Sequence, residues 1–296
     1  MNIFGAVEAG GTKFCCAVGT GPEDLRAEVR LDTRDPVQTL AAVVDFFKQH
    51  SDGLAALGVG SFGPIDLSCS SATYGHITTT PKPGWSNTDI VGYLQSHLDM
   101  PVGFETDVAI SALGEARWGA AQGVGDFIYL TVGTGIGGAV VSNGQIVHGL
   151  LHSEIGHMRI PRVSGDTFAG VCKYHGDCLE GLASGSALQE RWQMDPEKLP
   201  ADHIAWQIQA QNIAASLVNL IVTTSPRRII LGGGVMEQQH LLPLIRLNVL
   251  KLLNQYLHVD ELSPEHIDDF IVAPGLGNRA GMLGGLLLAE KAWKCA

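Results

Sequence analysis

The sequence predicts an α/β protein built from two related halves. Three observations lead there. Short apolar, strand-like runs alternate with longer stretches of helical periodicity along the chain. A strand, a glycine turn and a second strand occur in succession twice, at residues 3–20 (IFGAVE, AGGTK, FCCAVGT) and at residues 126–144 (DFIYLTV, GTGIGG, AVVSNG). The 296 residues are 45% hydrophobic and 17% charged, which suffices for one large or two modest domains with real cores.

Composition narrows the function classes. The formal net charge of -11 offers no electrostatic footprint for nucleic acid. No apolar run reaches the roughly 18 residues that a membrane span needs. The start, MNIFGAVEAGGTKF, has no basic region before an apolar core, so no signal peptide is expected. Cys15 and Cys16 are adjacent, and neighbours in a strand point to opposite faces, which disfavours a local bridge. With two of the other cysteines assigned to a metal below, the expected setting is a reducing cytoplasm without disulfides.

In chain order, the first hairpin places Gly10, Gly11, Thr12 and Lys13 in a tight turn after Glu8. Glycine lets the backbone approach a phosphate closely, so such a turn can aim N–H groups at one. Residues 36–50 read as a helix with Pro36 in its first turn and Leu40, Val43, Val44 and Phe47 as its apolar stripe. A buried strand at 55–60 runs into Ser61-Phe62-Gly63-Pro64-Ile65-Asp66, a turn at a strand end. Residues 74–85 (YGHITTTPKPGW) read as a long loop, either functional or a surface loop anchored by Trp85. A helix capped by Asn87 is expected over 87–97. A strand at 102–105 then delivers Thr106 and Asp107 to a helix start, where an Asp is commonly an N-cap. The second hairpin carries Thr134 among its glycines. Ser184 caps a helix, a core helix spans 205–224, and a strand at 229–231 runs through Gly232, Gly233, Gly234 and Val235 into another helix. Helix N-termini favour anions, and glycines permit close contact. A last strand at 270–275 precedes a glycine-containing terminal helix, and Trp192, Met194 and Trp206 read as packing residues.

The most informative stretch is residues 152–180, HSEIGHMRIPRVSGDTFAGVCKYHGDCLE. Cys172, His175 and Cys178 form a Cys-x-x-His-x-x-Cys knot, and His157 lies upstream. Zinc favours four such ligands in a tetrahedron, and a closed set of four is structural rather than catalytic. The competing reading is two reduced thiols near two histidines. His148 and His152 are not needed as ligands once four close the site. Glu154 and Glu180 flank the knot, so whatever fixes the loop also fixes these carboxylates.

The sequence Glu154-Ile155-Gly156-His157, the knot and Cys178-Leu179-Glu180 resemble the zinc loop of the ROK family, which comprises repressors and sugar kinases. The knot spacing, Glu8 in place of the usual Asp, and the PKPGW loop are similar to bacterial ROK fructokinases. The duplicated hairpins match the actin-like (ribonuclease H-like) ATPase fold to which the family belongs. The resemblance implies two similar α/β domains around a nucleotide and sugar cleft. They are expected as 1–118 with the C-terminal helix 280–296, and 119–279 carrying the zinc loop.

It also implies ATP-dependent phosphorylation of a hexose, most similar to conversion of D-fructose to fructose 6-phosphate, with Mg2+ and a structural Zn2+. Asp107, followed by Leu113-Gly114-Glu115, resembles the family's general base. Gly10, Gly11, Thr12, Lys13, Thr134, Ala183, Gly232, Gly233, Gly234 and Val235 take nucleotide-side positions by the same resemblance, and Asp107, Glu154, His157 and Glu180 sugar-side ones. Glu8 would hold magnesium through water. A homodimer is implied, with no nucleic-acid or membrane partner.

Two other readings stay in view. A non-catalytic, sugar-sensing ROK repressor carries a helix-turn-helix segment ahead of the first hairpin, which here begins within a few residues of Met1. An actin-like chaperone or filament ATPase would leave the zinc loop and the Glu154/Glu180 pair without purpose. Among the kinases, mannose, glucose, N-acetylmannosamine and allose are alternative substrates.

Overall fold

The computed structural model describes residues 2–296. Two compact units emerge: one comprises residues up to Gln122 together with His148–His152 and Asn278–Ala296, the other Gly123–Val147 and Ser153–Gly277. The first boundary therefore falls four residues beyond the expected 118, and the short piece 148–152 joins the first unit although both its chain neighbours lie in the second.

In the first unit, β1 (Ile3–Ala9), β2 (Lys13–Gly21) and β3 (Asp24–Asp32) form an antiparallel meander, followed by α1 (Pro36–Gln49) and β4 (Leu54–Ser61). Two short strands, β5 (His76–Ile77) and β6 (Thr88–Asp89), precede α2 (Ile90–Leu98), β7 (Val102–Thr106) and α3 (Asp107–Trp118). The sheet order is β3-β2-β1-β4-β7, with β1, β4 and β7 parallel. Asp35 caps α1 by accepting from the Gln38 N–H, and all four stripe residues are buried. Trp85 is fully buried and its indole N–H donates to the Arg34 carbonyl at 2.8 Å, which ties the long loop down at that point.

In the second unit, β8 (Phe127–Val132), β9 (Ile136–Ser142) and β10 (Gln145–Ile146) repeat the meander. They are followed by α4 (Leu179–Ala183), α5 (Gly185–Trp192), α6 (Ile204–Thr224) and β11 (Arg228–Gly232). Then come α7 (Leu241–Leu253), α8 (Ile267–Phe270) and β12 (Ile271–Val272). The order β10-β9-β8-β11-β12, with β8, β11 and β12 parallel, has the same topology as the first sheet. Two sheets of one topology are what the duplicated hairpins foretold, and they are consistent with an actin-like ATPase fold. Ser184 caps α5 as expected, and Ile213, Leu217, Leu220 and Ile221 of α6 lie in the core beside the fully buried Trp206.

The terminal helix α9 (Ala280–Cys295) returns to the first unit and packs on α3, β4 and β1. Small residues allow this approach. A β-carbon at Gly284 would stand 1.6 Å from the Ile110 carbonyl oxygen, and one at Gly114 would stand 2.4 Å from that of Ala280.

Several elements differ from expectation. β3 was not foreseen; it is an edge strand that alternates half-buried and exposed residues with many charges, so its apolar signal is weak. Helix α2 is capped by Asp89, which accepts from the Gly92 N–H at 2.7 Å, whereas Asn87 has φ +60 and belongs to the preceding turn. The glycine triplet leads into a 3-10 turn at Gly234–Glu237 rather than an α-helix, because α7 starts only at Leu241. Met194 is 44% exposed and does not pack in the core.

Candidate active site

The first unit gathers its chemistry at the C-terminal ends of β1, β4 and β7, the edge at which parallel α/β sheets place ligands. The β1–β2 turn is braced from three sides. The Gly10 N–H donates to the Lys13 carbonyl at 2.9 Å, the Thr33 hydroxyl donates to the Gly10 carbonyl at 2.8 Å, and the Phe62 N–H donates to the Ala9 carbonyl at 2.8 Å. Gly11 and Thr12 are left exposed at its tip, with Lys13 half-buried beside them.

Asp107 stands at the first position of α3, and Thr106 is the N-cap, its hydroxyl accepting from the Ala109 N–H. The Asp107 carboxylate is therefore not spent on capping; it accepts one bond from the Val108 N–H at 2.9 Å. Burial pushes its pKa up to about 6, partly offset by backbone hydrogen bonds. Glu8 is pushed up to about 7 by burial and then by the charge of Asp107, with Lys13 acting in the opposite sense. The two carboxylates thus feel each other, and the Asp107 charge adds to the rise at Glu8. The longer arm of Glu8 is accommodated by α9: a β-carbon at Gly281 would lie 2.5 Å from the Glu8 carboxyl carbon.

In the second unit, His157, Cys172, His175 and Cys178 bring one ligand atom each to within 4.8 Å of one another. The His157 Nδ1 lies 3.6 Å from the Cys172 Sγ and 3.5 Å from the Cys178 Sγ, and the His175 Nδ1 lies 3.6 Å from the Cys172 Sγ. With metal bonds of ~2.0 Å to nitrogen and ~2.3 Å to sulfur, a tetrahedron separates N and S by ~3.5 Å. The four residues therefore fit zinc. Burial pushes the Cys178 thiol up to about 11, so metal uptake would release its proton. The knot closes through a Cys172–Gly176 backbone pair, and Asp177 accepts from Arg159 and Arg162.

The knot also holds the flanking carboxylates. His157 turns its Nδ1 to the thiols and its Nε2 toward Glu154, 4.0 Å from Oε2. Glu180, in the first turn of α4, accepts from the Ile136 N–H at 3.0 Å and so ties the knot to the second glycine hairpin. That hairpin is further held by α5, whose Gly185 N–H and Ser186 hydroxyl donate to the Gly133 and Thr134 carbonyls. Thr134 itself is exposed. At the end of β11, Gly233 has φ +93, and a β-carbon there would stand 2.5 Å from the Val132 carbonyl oxygen, so only glycine fits the crossing. Gly232 and Val235 are buried, and Gly234 is exposed.

Ala183 departs from this pattern. Its side chain is fully buried and its carbonyl accepts from the Gln209 amide, so the half-buried Gly185 and the exposed Ser186 are the nearer surface groups. Sequence reasoning also set aside His148 and His152 as ligands. The structure gives both a bond: His148 Nε2 lies 2.9 Å from the Glu105 Oε1, and His152 Nε2 accepts from the Ile65 N–H at 3.0 Å. No local signal marks either pairing, because the partners lie 43 and 87 residues away. Among the described residues, no helix is long and apolar enough to cross a membrane.

Comparison with known proteins places this geometry. The model of the ROK family matches residues 4–292. A fructokinase of Pediococcus pentosaceus is 45% identical over 294 residues, covering 99% of this chain and 100% of its own. A fructokinase of Zymomonas mobilis subsp. mobilis is 40% identical, covering 97% and 96%. Among solved structures, the ROK hexokinase from Thermus thermophilus has a TM-score of 0.74 at 27% identity over 99% of this chain and 100% of its own. A ROK glucokinase from Streptomyces griseus, in complex with glucose and AMPPNP, has a TM-score of 0.76 at 24% identity, covering 98% and 100%, a likeness of fold.

Proposed function

The chain belongs to the ROK family, and from that premise we propose that this sugar kinase transfers the γ-phosphoryl group of ATP to D-fructose, giving fructose 6-phosphate. The observation that carries the reading is Asp107: a carboxylate at a parallel-strand end, not used as a cap, with its pKa raised to about 6. A base with that value is ionised at neutral pH yet still takes a proton readily. The fructose preference rests on relatives named fructokinase at 40% identity and above over nearly the whole chain.

Phosphoryl transfer is mostly positioning and charge neutralisation. Asp107 accepts the proton of the sugar hydroxyl as its oxygen attacks the γ-phosphorus, and ADP leaves. Gly10, Gly11, Thr12, Lys13 and Thr134 hold the phosphates. Gly232, Gly233, Gly234 and Val235 line the adenosine side, with Gly185 and Ser186 serving beside Ala183. Glu154, His157 and Glu180 hold the sugar hydroxyls, a carboxylate accepting two such bonds. His157, Cys172, His175 and Cys178 would hold zinc, which would fix the orientation of the segments that carry Glu154 and Glu180. Glu8, on which the Asp107 charge acts, would hold Mg2+ through water, and the ion would neutralise phosphate charge. The same reading takes the protein as a cytoplasmic homodimer, which light scattering of the purified protein would check.

The test is an ATP-dependent assay with Mg2+ across fructose, mannose, glucose and N-acetylmannosamine. A preference for fructose supports the full reading. Preference for another hexose keeps the mechanism and overturns the substrate. No turnover on any sugar by folded, zinc-loaded protein overturns the kinase reading and favours the sugar-sensing one.

A further inference from the structure

Residues 148–152 leave the second unit after Val147, join the first, and return at Ser153. The Gly149 N–H donates to the Leu151 carbonyl at 3.0 Å, so the piece is a tight strap. Its own apolar side chains do not hold it in place, since Leu150 is 99% and Leu151 55% exposed. Bonds from its two histidines help to tie it.

His148 Nε2 sits 2.9 Å from Oε1 and 3.2 Å from Oε2 of Glu105, a carboxylate only 8% exposed on β7, two residues before Asp107. Burial raises the Glu105 pKa and His148 opposes the rise, as expected of a buried acid that depends on this partner. His152 Nε2 accepts from the Ile65 N–H at 3.0 Å, and the ring lies on the turn after β4: a β-carbon at Gly63 would come within 3.3 Å of its Cε1. Glu105 lies near the C-terminal end of β7, and Ile65 lies in the turn that follows β4. Glu154 follows His152 by two residues, so its Cα can lie no more than ~7 Å from that of the anchored histidine.

We propose that His148 and His152 are positioning residues for the sugar. By docking the strap on Glu105 and Ile65, they fix the chain two residues ahead of Glu154. They touch neither substrate; they act through where Glu154 is held. The inference rests on the kinase reading above and adds residues that reading does not use.

The test compares His152→Leu, which cannot accept the Ile65 N–H, with His152→Gln, whose amide oxygen can. His148→Leu is compared with His148→Gln, which can still donate to Glu105. KM for fructose, KM for ATP, kcat, zinc per chain and melting temperature are measured on each full-length protein. Loss of one such hydrogen bond is expected to raise KM for fructose about threefold to tenfold. KM for ATP and zinc content should stay unchanged, and the glutamine variants should recover most of the loss. An unchanged KM for fructose in His152→Leu overturns the proposal. So does a parallel rise in both KM values, or glutamine variants no better than leucine ones, since a merely structural role would give either. If His148→Leu fails to fold, the His152 pair and His148→Gln still decide the matter. Wild-type protein that phosphorylates no sugar overturns the kinase reading, whereas active wild type with unmoved variants overturns only the strap.

Discussion

Replacing Asp107 by Asn should remove activity and stabilise the protein at once. The carboxyl is raised by burial from the ordinary 3.8 to about 6. Each pKa step is worth about 1.4 kcal/mol, so holding the ionised form in place costs the folded state at most about 3 kcal/mol. The sign follows from the direction of the change. The folded protein binds this proton more tightly than the unfolded chain does, so the penalty is absent below about pH 4 and complete above about pH 6. Asn keeps an acceptor for the Val108 N–H and carries no charge to desolvate. Asp107→Asn should therefore melt several degrees above wild type at pH 7.5, and the gap should close toward pH 4. Loss of a general base typically costs 10²–10⁴ in rate. Wild-type kcat/KM should fall about tenfold for each pH unit below about 6, as Asp107 is protonated. Coupled ADP release and thermal melts without nucleotide read both effects. A variant that keeps more than a tenth of wild-type turnover, or melts below wild type at pH 7.5, would refute the assignment of Asp107 as a desolvated base.

Two further predictions concern the scaffold. Cys178→Ser should lower zinc per chain, measured by atomic absorption, and raise KM for the sugar more than KM for ATP, because the knot holds His157 directly and Glu180 through the start of α4; full metal content or an unchanged sugar KM would contradict this. Gly284→Ala should destabilise the first unit by 1–3 kcal/mol or more, because the added methyl would stand 1.6 Å from the Ile110 carbonyl oxygen; urea unfolding with an unchanged midpoint would show that α9 packs less closely on α3 than described.

The parts of the site legible in the sequence are those with local signatures. The knot spacing marks a candidate metal site because its three residues lie within seven positions, and their ring nitrogens and sulfurs do converge. Asp107 was legible as a strand-to-helix junction; its role as cap or free carboxylate was not, since Thr106 competes for the cap and the side-chain rotamer decides. The helix after the glycine triplet was misread because Gly-Gly-Gly-Val before apolar residues suits a helix start, yet Gly233 at φ +93 turns the chain into a single 3-10 turn first. β3 could have been found from Leu25, Ala27, Val29 and Leu31 at every second position, the period of a strand with one covered face.

By itself the sequence determined the two glycine hairpins, the alternation that builds two sheets, the apolar faces of α1 and α6, and the spacing of the Cys/His cluster. These follow from backbone freedom at glycine, from hydrophobic period and from ligand spacing, properties carried by neighbours along the chain. Only the tertiary structure decided which carboxylates are perturbed and which groups hold them. Glu8 lies against Gly281, Glu180 accepts from Ile136, and Glu105 meets His148, pairings that span 43 residues or more. Desolvation and long-range hydrogen bonds depend on what packs around a group, and no spacing rule encodes that.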